Sequence, residues 1–226
     1  MVAGRTLVVL SPHLDDAVLS VGAYMHAQAR VGTGVRVLTV FANDPAADDP
    51  PGPWDVLCGF ASAAAAARAR REEDVRACAI VGAEPQWLAY ADDGYGRSPD
   101  ADDVWESIQG LVGGCALLLV PGFPLRHADH AWLTRLIVER RSGLSPPLGF
   151  YAEQPYARAA FDRGQAVAAP LRLEFARVPT SAADRLAKLR AASQYRSQLR
   201  PLGTRILIRA LGEEWLRGGE LVALPD

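Results

Sequence analysis

Lysine is almost absent from this chain: of 24 Lys and Arg residues among 226, Lys188 is the one lysine. An arginine bias of that kind fits a GC-rich coding sequence. Excess charge of either sign is also missing, since 26 Asp and Glu leave a formal charge of -2 and a pI near 6.1. That excludes a strongly basic nucleic-acid binder and an acidic disordered tail as default readings. Cysteine is scarce and odd in number. Cys58, Cys78 and Cys115 are widely spaced with no C-x-x-C pair, which excludes a zinc knuckle or redox motif and fits a reduced, cytoplasmic compartment. Long apolar runs are lacking too. Leu7–Leu10 is too short for a signal-peptide core and charged residues follow at once, so neither a membrane span nor secretion is expected. What is present is half hydrophobic and about a fifth charged, the composition of one globular domain over residues 1–226. Histidine numbers only four, which makes its placement informative.

Thr6–Leu10 and Val35–Phe41 read as buried parallel strands. Ala17–Arg30 between them has helical spacing and closes at Gly32 and Gly34, completing a right-handed βαβ unit. Residues 44–57, DPAADDPPGPWDVL, are dense in Pro, Gly and Asp and predict a loop without regular helix, either a connection or a lid. The Ala-, Arg- and Glu-rich stretch from Phe60 to Val81 predicts one long helix stopped by Gly82. Further strands are expected at Gln86–Tyr90, Ala116–Val120 and from Gly149 to Tyr151, with helices at Val104–Leu111 and Ala131–Arg141. LRLEFARV from Leu171, a Ser-capped helix over Ser181–Tyr195 and GELVAL make a C-terminal extension of the same domain. The alternation predicts an α/β class fold: a Rossmann-like doubly wound, mostly parallel sheet with helices on both faces and a C-terminal α/β extension.

Two segments place metal-competent side chains just after strongly predicted strands: Ser11-Pro12-His13-Leu14-Asp15-Asp16 and His127-Ala128-Asp129-His130. In open α/β sheets the ligand site lies beyond the carboxyl ends of the strands, so both fall on one rim. A catalytic zinc needs three His or carboxylate ligands and one open position. His13 and Asp16, and likewise His127 and His130, are three apart at the start of a helix, which supplies four candidates. A leftover carboxylate, Asp15, can act as general base for a bound water, and a leftover histidine can stabilise an oxyanion. Alone, either segment could instead be a helix cap or a surface loop. Together they take three of the four histidines, and His26, inside the first helix, reads as structural.

The P-H-x-D-D and H-x-D-H segments resemble those of the PIG-L or LmbE-like zinc N-deacetylases. The similarity extends to Arg70-x-x-Glu73-x-x-x-Ala77 followed by Val81-Gly82, to Asp92, and to Lys188 with Tyr195-Arg196-Ser197-Gln198, about residues 5–200 in all. The resemblance implies His13, Asp16 and His130 as metal ligands, Asp15 as general base, His127 as oxyanion stabiliser, and Arg70 and Asp92 as substrate contacts. It implies a Zn2+ cofactor, with other divalent metals such as Fe2+ also suited to the donors. The expected activity is removal of an N-acetyl group from an amino-sugar-containing small molecule, a glycoside or natural-product intermediate. Leu14 and Ala17 depart from the family's usual Pro and acidic residue, which leaves the ligands intact and bears on specificity.

Several features have two readings each. Trp54, Trp87 and Tyr95 can stack on a sugar or pack in the core. Arg70 can bind substrate or pair with Glu72 or Glu73 on its own helix. The small face of Ala63–Ala67 suits either the chain's own sheet or a homo-oligomer contact. Arg185, Lys188, Arg190, Arg196 and Arg200, interleaved with Leu186, Leu189 and Tyr195, read as an amphipathic helix with a solvated basic face rather than a nucleic-acid or membrane surface. Rival functions are a non-catalytic metal- or ligand-binding module and an amidase acting on a thiol-sugar conjugate. Nucleophilic Ser or Cys catalysis lacks a G-x-S-x-G elbow and a cysteine near a histidine in sequence.

Overall fold

The structure is a computed structural model, and it describes residues 5–95, 99–156, 174–203, 212 and 219–225. The first strand, β1 (Thr6–Ser11), is apolar along most of its length and is followed by α1 (Asp16–Arg30) and β2 (Gly34–Thr39). A short helix α2 (Pro53–Cys58), a long α3 (Ala63–Val81) and β3 (Glu84–Trp87) come next. Then follow α4 (Ala101–Val112), β4 (Leu117–Phe123), α5 (Ala128–Glu139) and β5 (Leu148–Ala152). The C-terminal part adds β6 (Ala176–Arg177), α6 (Ala182–Ala192), α7 (Arg196–Leu202) and β7 (Leu221–Ala223).

One seven-stranded sheet has the order β3-β2-β1-β4-β5-β7-β6, with β1 to β5 parallel and β7 antiparallel to both β5 and β6. This is the expected doubly wound arrangement with a C-terminal extension. Because strand side chains alternate, Leu7 and Val9 join the core under α1, α3 and α6, and Val8 and Leu10 join the core under α4 and α5. Strand order reverses between β1 and β4, so the rim beyond these two strands is the topological switch point.

Five expectations are corrected. The 44–57 loop holds helix α2, because Pro53 occupies a first-turn position where its missing N–H costs nothing and Gly59 ends the helix in the left-handed region at φ 87°. The strand expected at Gln86–Tyr90 starts two residues earlier and ends three residues earlier, and α3 starts at Ala63 behind the Ser62 cap rather than at Phe60. The long C-terminal helix stops at Ala192, with α7 restarting at Arg196, and of LRLEFARV only Ala176–Arg177 is strand among the described residues. Residues 171–173 lie outside them.

Candidate metal centre and active site

The β1–α1 turn is built by Ser11. Its hydroxyl donates to the His13 carbonyl and accepts from the Ala17 N–H, doing the capping that Asp15 was available to do. Asp15 is the N-cap residue of α1 yet makes no side-chain cap bond, so its carboxylate is left for other work. His13 sits in the turn and not on the helix face its spacing suggested, while Asp16 opens the helix. Across the switch point, His127 occupies the N-cap position of α5 without a side-chain cap bond, and His130 lies in the first turn.

These elements bring three ligand atoms together. His13 Nδ1 is 3.1 Å from His130 Nε2 and 3.3 Å from Asp16 Oδ2, and His130 Nε2 is 3.1 Å from Asp16 Oδ2. In a tetrahedron with bonds of about 2.0–2.1 Å to N and O, neighbouring ligands stand about 3.3–3.4 Å apart, so the triangle fits a zinc-sized cation. Two imidazole nitrogens and a carboxylate oxygen also form a donor set of the right hardness for several divalent metals. Among the four candidate ligands, His127 is outside this triangle.

Each imidazole has a carboxylate behind it. His13 Nε2 is 3.1 Å from Asp129 Oδ2, and His130 Nδ1 bonds Glu153 Oε1. Such partners fix ring orientation and tautomer in metal sites. Glu153 is itself anchored by the Leu125 N–H at 2.7 Å, and Asp129 by the Asp93 N–H at 3.3 Å. Neither acid was singled out from sequence. Asp129 stood inside the H-x-D-H segment, and Glu153 directly follows a strand, the same signal that drew attention to Asp15 and Asp16.

Charge follows the geometry. Burial opposes protonation of His13 and His130, but Asp129 and Asp16 raise the first well above its ordinary value, and Asp16 with Glu153 raises the second to about 9. Burial would raise Asp16, yet the two imidazoles hold it far below the usual carboxylate range. Asp15 moves the other way, to about 7, because it is buried and faces the charge of Asp16. Burial and the neighbouring His130 and His13 lower His127, whose Nε2 lies 3.2 Å from the Tyr156 hydroxyl.

All seven residues expected at the site line one cavity of about 290 Å³: His13, Asp15, Asp16, Arg70, Asp92, His127 and His130. Trp54 and Tyr95 line it as well. Trp87 does not, and its indole N–H instead donates to the buried Asp74 at 2.8 Å. Arg70 pairs with neither Glu72 nor Glu73: its Nη2 is 2.6 Å from Asp55 Oδ1 on α2. Glu73 accepts from the Ser197 N–H and hydroxyl, and Gln198 accepts from the Trp54 indole at 2.7 Å. The helix motif and the C-terminal stretch therefore meet and hold α2 over the cavity. The three cysteines are free, and Cys58 is not activated, since burial pushes its thiol up against the pull of Arg70.

A search of the curated proteins finds no significant match. Among solved structures, a triple mutant of a deacetylase of the teicoplanin biosynthetic pathway matches with a TM-score of 0.83 and 26% identity, covering 97% of each chain. The A40926 pseudoaglycone deacetylase matches with a TM-score of 0.77 and 26% identity over 98% of this chain and 96% of that one. The zinc inhibited form of teicoplanin deacetylase matches in fold at 24% identity, with a TM-score of 0.80 over 98% and 99% of the two chains. The family described as PIG-L: GlcNAc-PI de-N-acetylase matches residues 8–140, well over half of the sequence and both metal-bearing segments, so the chain belongs to the PIG-L family.

Proposed function

We propose that this N-deacetylase removes the acetyl group of an amino-sugar-containing small molecule, a glycoside or natural-product intermediate, and that residues 1–226 work as one domain. His13, Asp16 and His130 hold the cation, Asp15 is the general base, His127 holds the developing oxyanion, and Arg70 and Asp92 contact the sugar. A divalent cation bound there, zinc by its donors with Fe2+ as the runner-up, supplies polarisation of the amide carbonyl and a lowered pKa for water.

The chain's own residues handle the protons. Asp15 takes one as water adds to the carbonyl carbon and returns it to the amine nitrogen as the C–N bond breaks. His127, kept neutral by burial and by two neighbouring imidazoles, offers an N–H to the oxygen that gains charge. The Tyr156 hydroxyl steadies its ring. The products are a free amine and acetate.

The convergence of three ligand atoms next to an uncommitted carboxylate, in one cavity, is the observation that most supports this reading. The family description contains an N-acetylglucosamine, and the similar structures are deacetylases of natural-product pathways. One of them is described as a zinc inhibited form, so activity is best compared across Zn2+, Fe2+ and other divalent ions. The test is metal content together with amine release from a panel of N-acetylated amino sugars and glycosides, with and without chelator. One metal per chain and chelator-sensitive amine release are expected. Asp15→Asn should keep the metal and lose roughly 10²–10⁴ in kcat, the usual share of a general base. Metal without amide hydrolysis across the panel would favour the binding module, and a near wild-type rate for Asp15→Asn would remove Asp15 from its role.

A further inference from the structure

The cavity is unevenly charged. Asp15, Asp16, Asp55, Asp92, Asp93 and Asp129 all line it, and among the described lining residues Arg70 is the one Arg or Lys. A divalent cation and Arg70 together do not balance six carboxylates. Arg70 would be the natural partner for an anionic group on a substrate, because a guanidinium binds phosphate, sulfate or carboxylate through paired N–H donors.

Here that guanidinium is already engaged. Its Nη2 lies 2.6 Å from Asp55 Oδ1, and the Asp55 side chain is 1% exposed. Asp55 is not a chance neighbour: its other oxygen accepts from the Gly52 N–H at 2.9 Å and from the Tyr95 hydroxyl, so the N-cap of its own helix and Tyr95 both hold it against Arg70. The same Nη2 lies 3.8 Å from Cys58 Sγ, and the centre of the Phe60 ring is 5.8 Å from the central carbon of the guanidinium. Asp55 comes from α2, the short helix that covers the cavity.

We infer that Asp55 is a specificity-determining residue: by neutralising Arg70 within an acid-lined cavity, it selects uncharged acetamido sugars and rejects those bearing phosphate, sulfate or carboxylate. The inference rests on the N-deacetylase reading above and deepens it. A phosphate brought to Arg70 would meet a guanidinium whose charge Asp55 has cancelled, with further carboxylates around it, and like charges so placed are strongly repulsive. A hydroxyl needs only a hydrogen-bond partner and pays no such penalty.

The experiment compares methyl N-acetylglucosaminide with its 6-O-sulfate and its 6-O-sulfamate, which share shape and differ in charge, and with N-acetylglucosamine 1-phosphate. Amine release gives kcat/KM, and calorimetric titration of the corresponding free amines gives binding independently of turnover. The neutral and sulfamate compounds should be preferred over the sulfate and phosphate by roughly 100-fold. Asp55→Asn, which keeps the shape and removes the charge, should narrow that gap by about 10-fold. Equal or better use of the anionic compounds by the wild type overturns the inference while leaving deacetylation intact. So does rejection of the sulfamate as strongly as the sulfate, because size would then be the discriminator. Absence of hydrolysis for every compound sinks the deacetylase reading, and the amine titrations still decide whether charge is selected. Should Asp55→Asn fail to fold, Asp55→Ser makes the same comparison, and a sulfate-to-sulfamate gap left unchanged by removal of the Asp55 charge overturns the inference.

Discussion

Asp15 and Asp16 are neighbours with opposite electrostatic fates, and the difference lies in what each oxygen faces. Asp16 Oδ2 has two imidazoles and the His13 N–H within 3.3 Å, so it stays ionised as a ligand must. Asp15 has burial and the charge of Asp16 against it, and moves up to about 7. A base poised near neutrality is effective in proton transfer. A cation at the neighbouring ligands adds positive charge and favours ionised Asp15, so the acidic limb of kcat/KM in the metal-loaded enzyme should have its midpoint below 7, with activity falling as pH drops through it. A limb centred above pH 7 would mean another group titrates. Behind the ligands, Glu153→Gln should weaken metal affinity by about 10–100-fold, as loss of a carboxylate behind a metal-bound histidine usually does. Competitive titration against a chelating dye would measure it, and unchanged affinity would make the Glu153–His130 contact incidental. These residues differ in how far they could be read from sequence. His13, Asp15, Asp16, His127 and His130 stood in two short post-strand segments, where spacing is local information. Glu153 and Asp55 act through partners 23 and 15 positions away, and nothing in their immediate sequence names those partners.

Among the elements, α1 shows why periodicity alone falls short. Its apolar spacing predicts one helix, yet Val21 leaves helical geometry at φ -131° and ψ 26°. The break exposes the Ala23 and Tyr24 N–H groups, which Glu220 accepts at 2.9 and 2.7 Å, and the Ser20 carbonyl, which accepts from Lys188 at 3.2 Å. Lys188 and Glu220 are themselves 2.7 Å apart, with side chains 2% and 1% exposed. The chain's one lysine is therefore a buried structural group, not part of the solvated basic face expected for α6, and Tyr195 of the same stretch is buried too. Lys188→Met would leave the Glu220 charge without its ammonium partner, a loss of about 3–5 kcal/mol in stability. At about 2–4 °C per kcal/mol for a chain of this size, calorimetry should find Tm lower by roughly 6–20 °C. Adding Glu220→Gln should recover part of the loss, and a single-variant drop under about 1 kcal/mol would show that the pair holds little. Helix α2 hid for a related reason. Pro- and Gly-rich text rarely forms helix, and these six residues persist through tertiary bonds: Asp55 to Tyr95, and Trp54 to Gln198. The parallel strands and α3 were legible because apolar runs and helix-forming residues act locally.

At the scale of the molecule, the ligand triangle joins the two halves of the doubly wound sheet, with His13 and Asp16 following β1 and His130 following β4. A cation there links segments more than a hundred residues apart, so its binding free energy adds to the stability of the whole fold. Protons compete for the same atoms. In the metal-free protein His130 is raised to about 9, above its unfolded value near 6.5, so its contribution to stability is complete below about 6.5 and is lost as pH rises through about 9. His13 is raised as well and contributes with the same sign. Metal binding has the opposite dependence, because the imidazoles must lose their protons to act as ligands, and affinity rises with pH over the same interval. The metal-free protein should therefore lose Tm between pH 6 and 8.5 while the metal-loaded protein loses less. Their difference should widen towards alkaline pH, reaching about 5–10 °C when free metal is near 100 times Kd, equivalent to about 2.7 kcal/mol. Differential scanning calorimetry with buffered metal and with chelator, at matched pH values, measures this directly. A gap that stays constant or shrinks as pH rises would show that the cation does not displace protons from His13 and His130, and would move the metal away from this triangle.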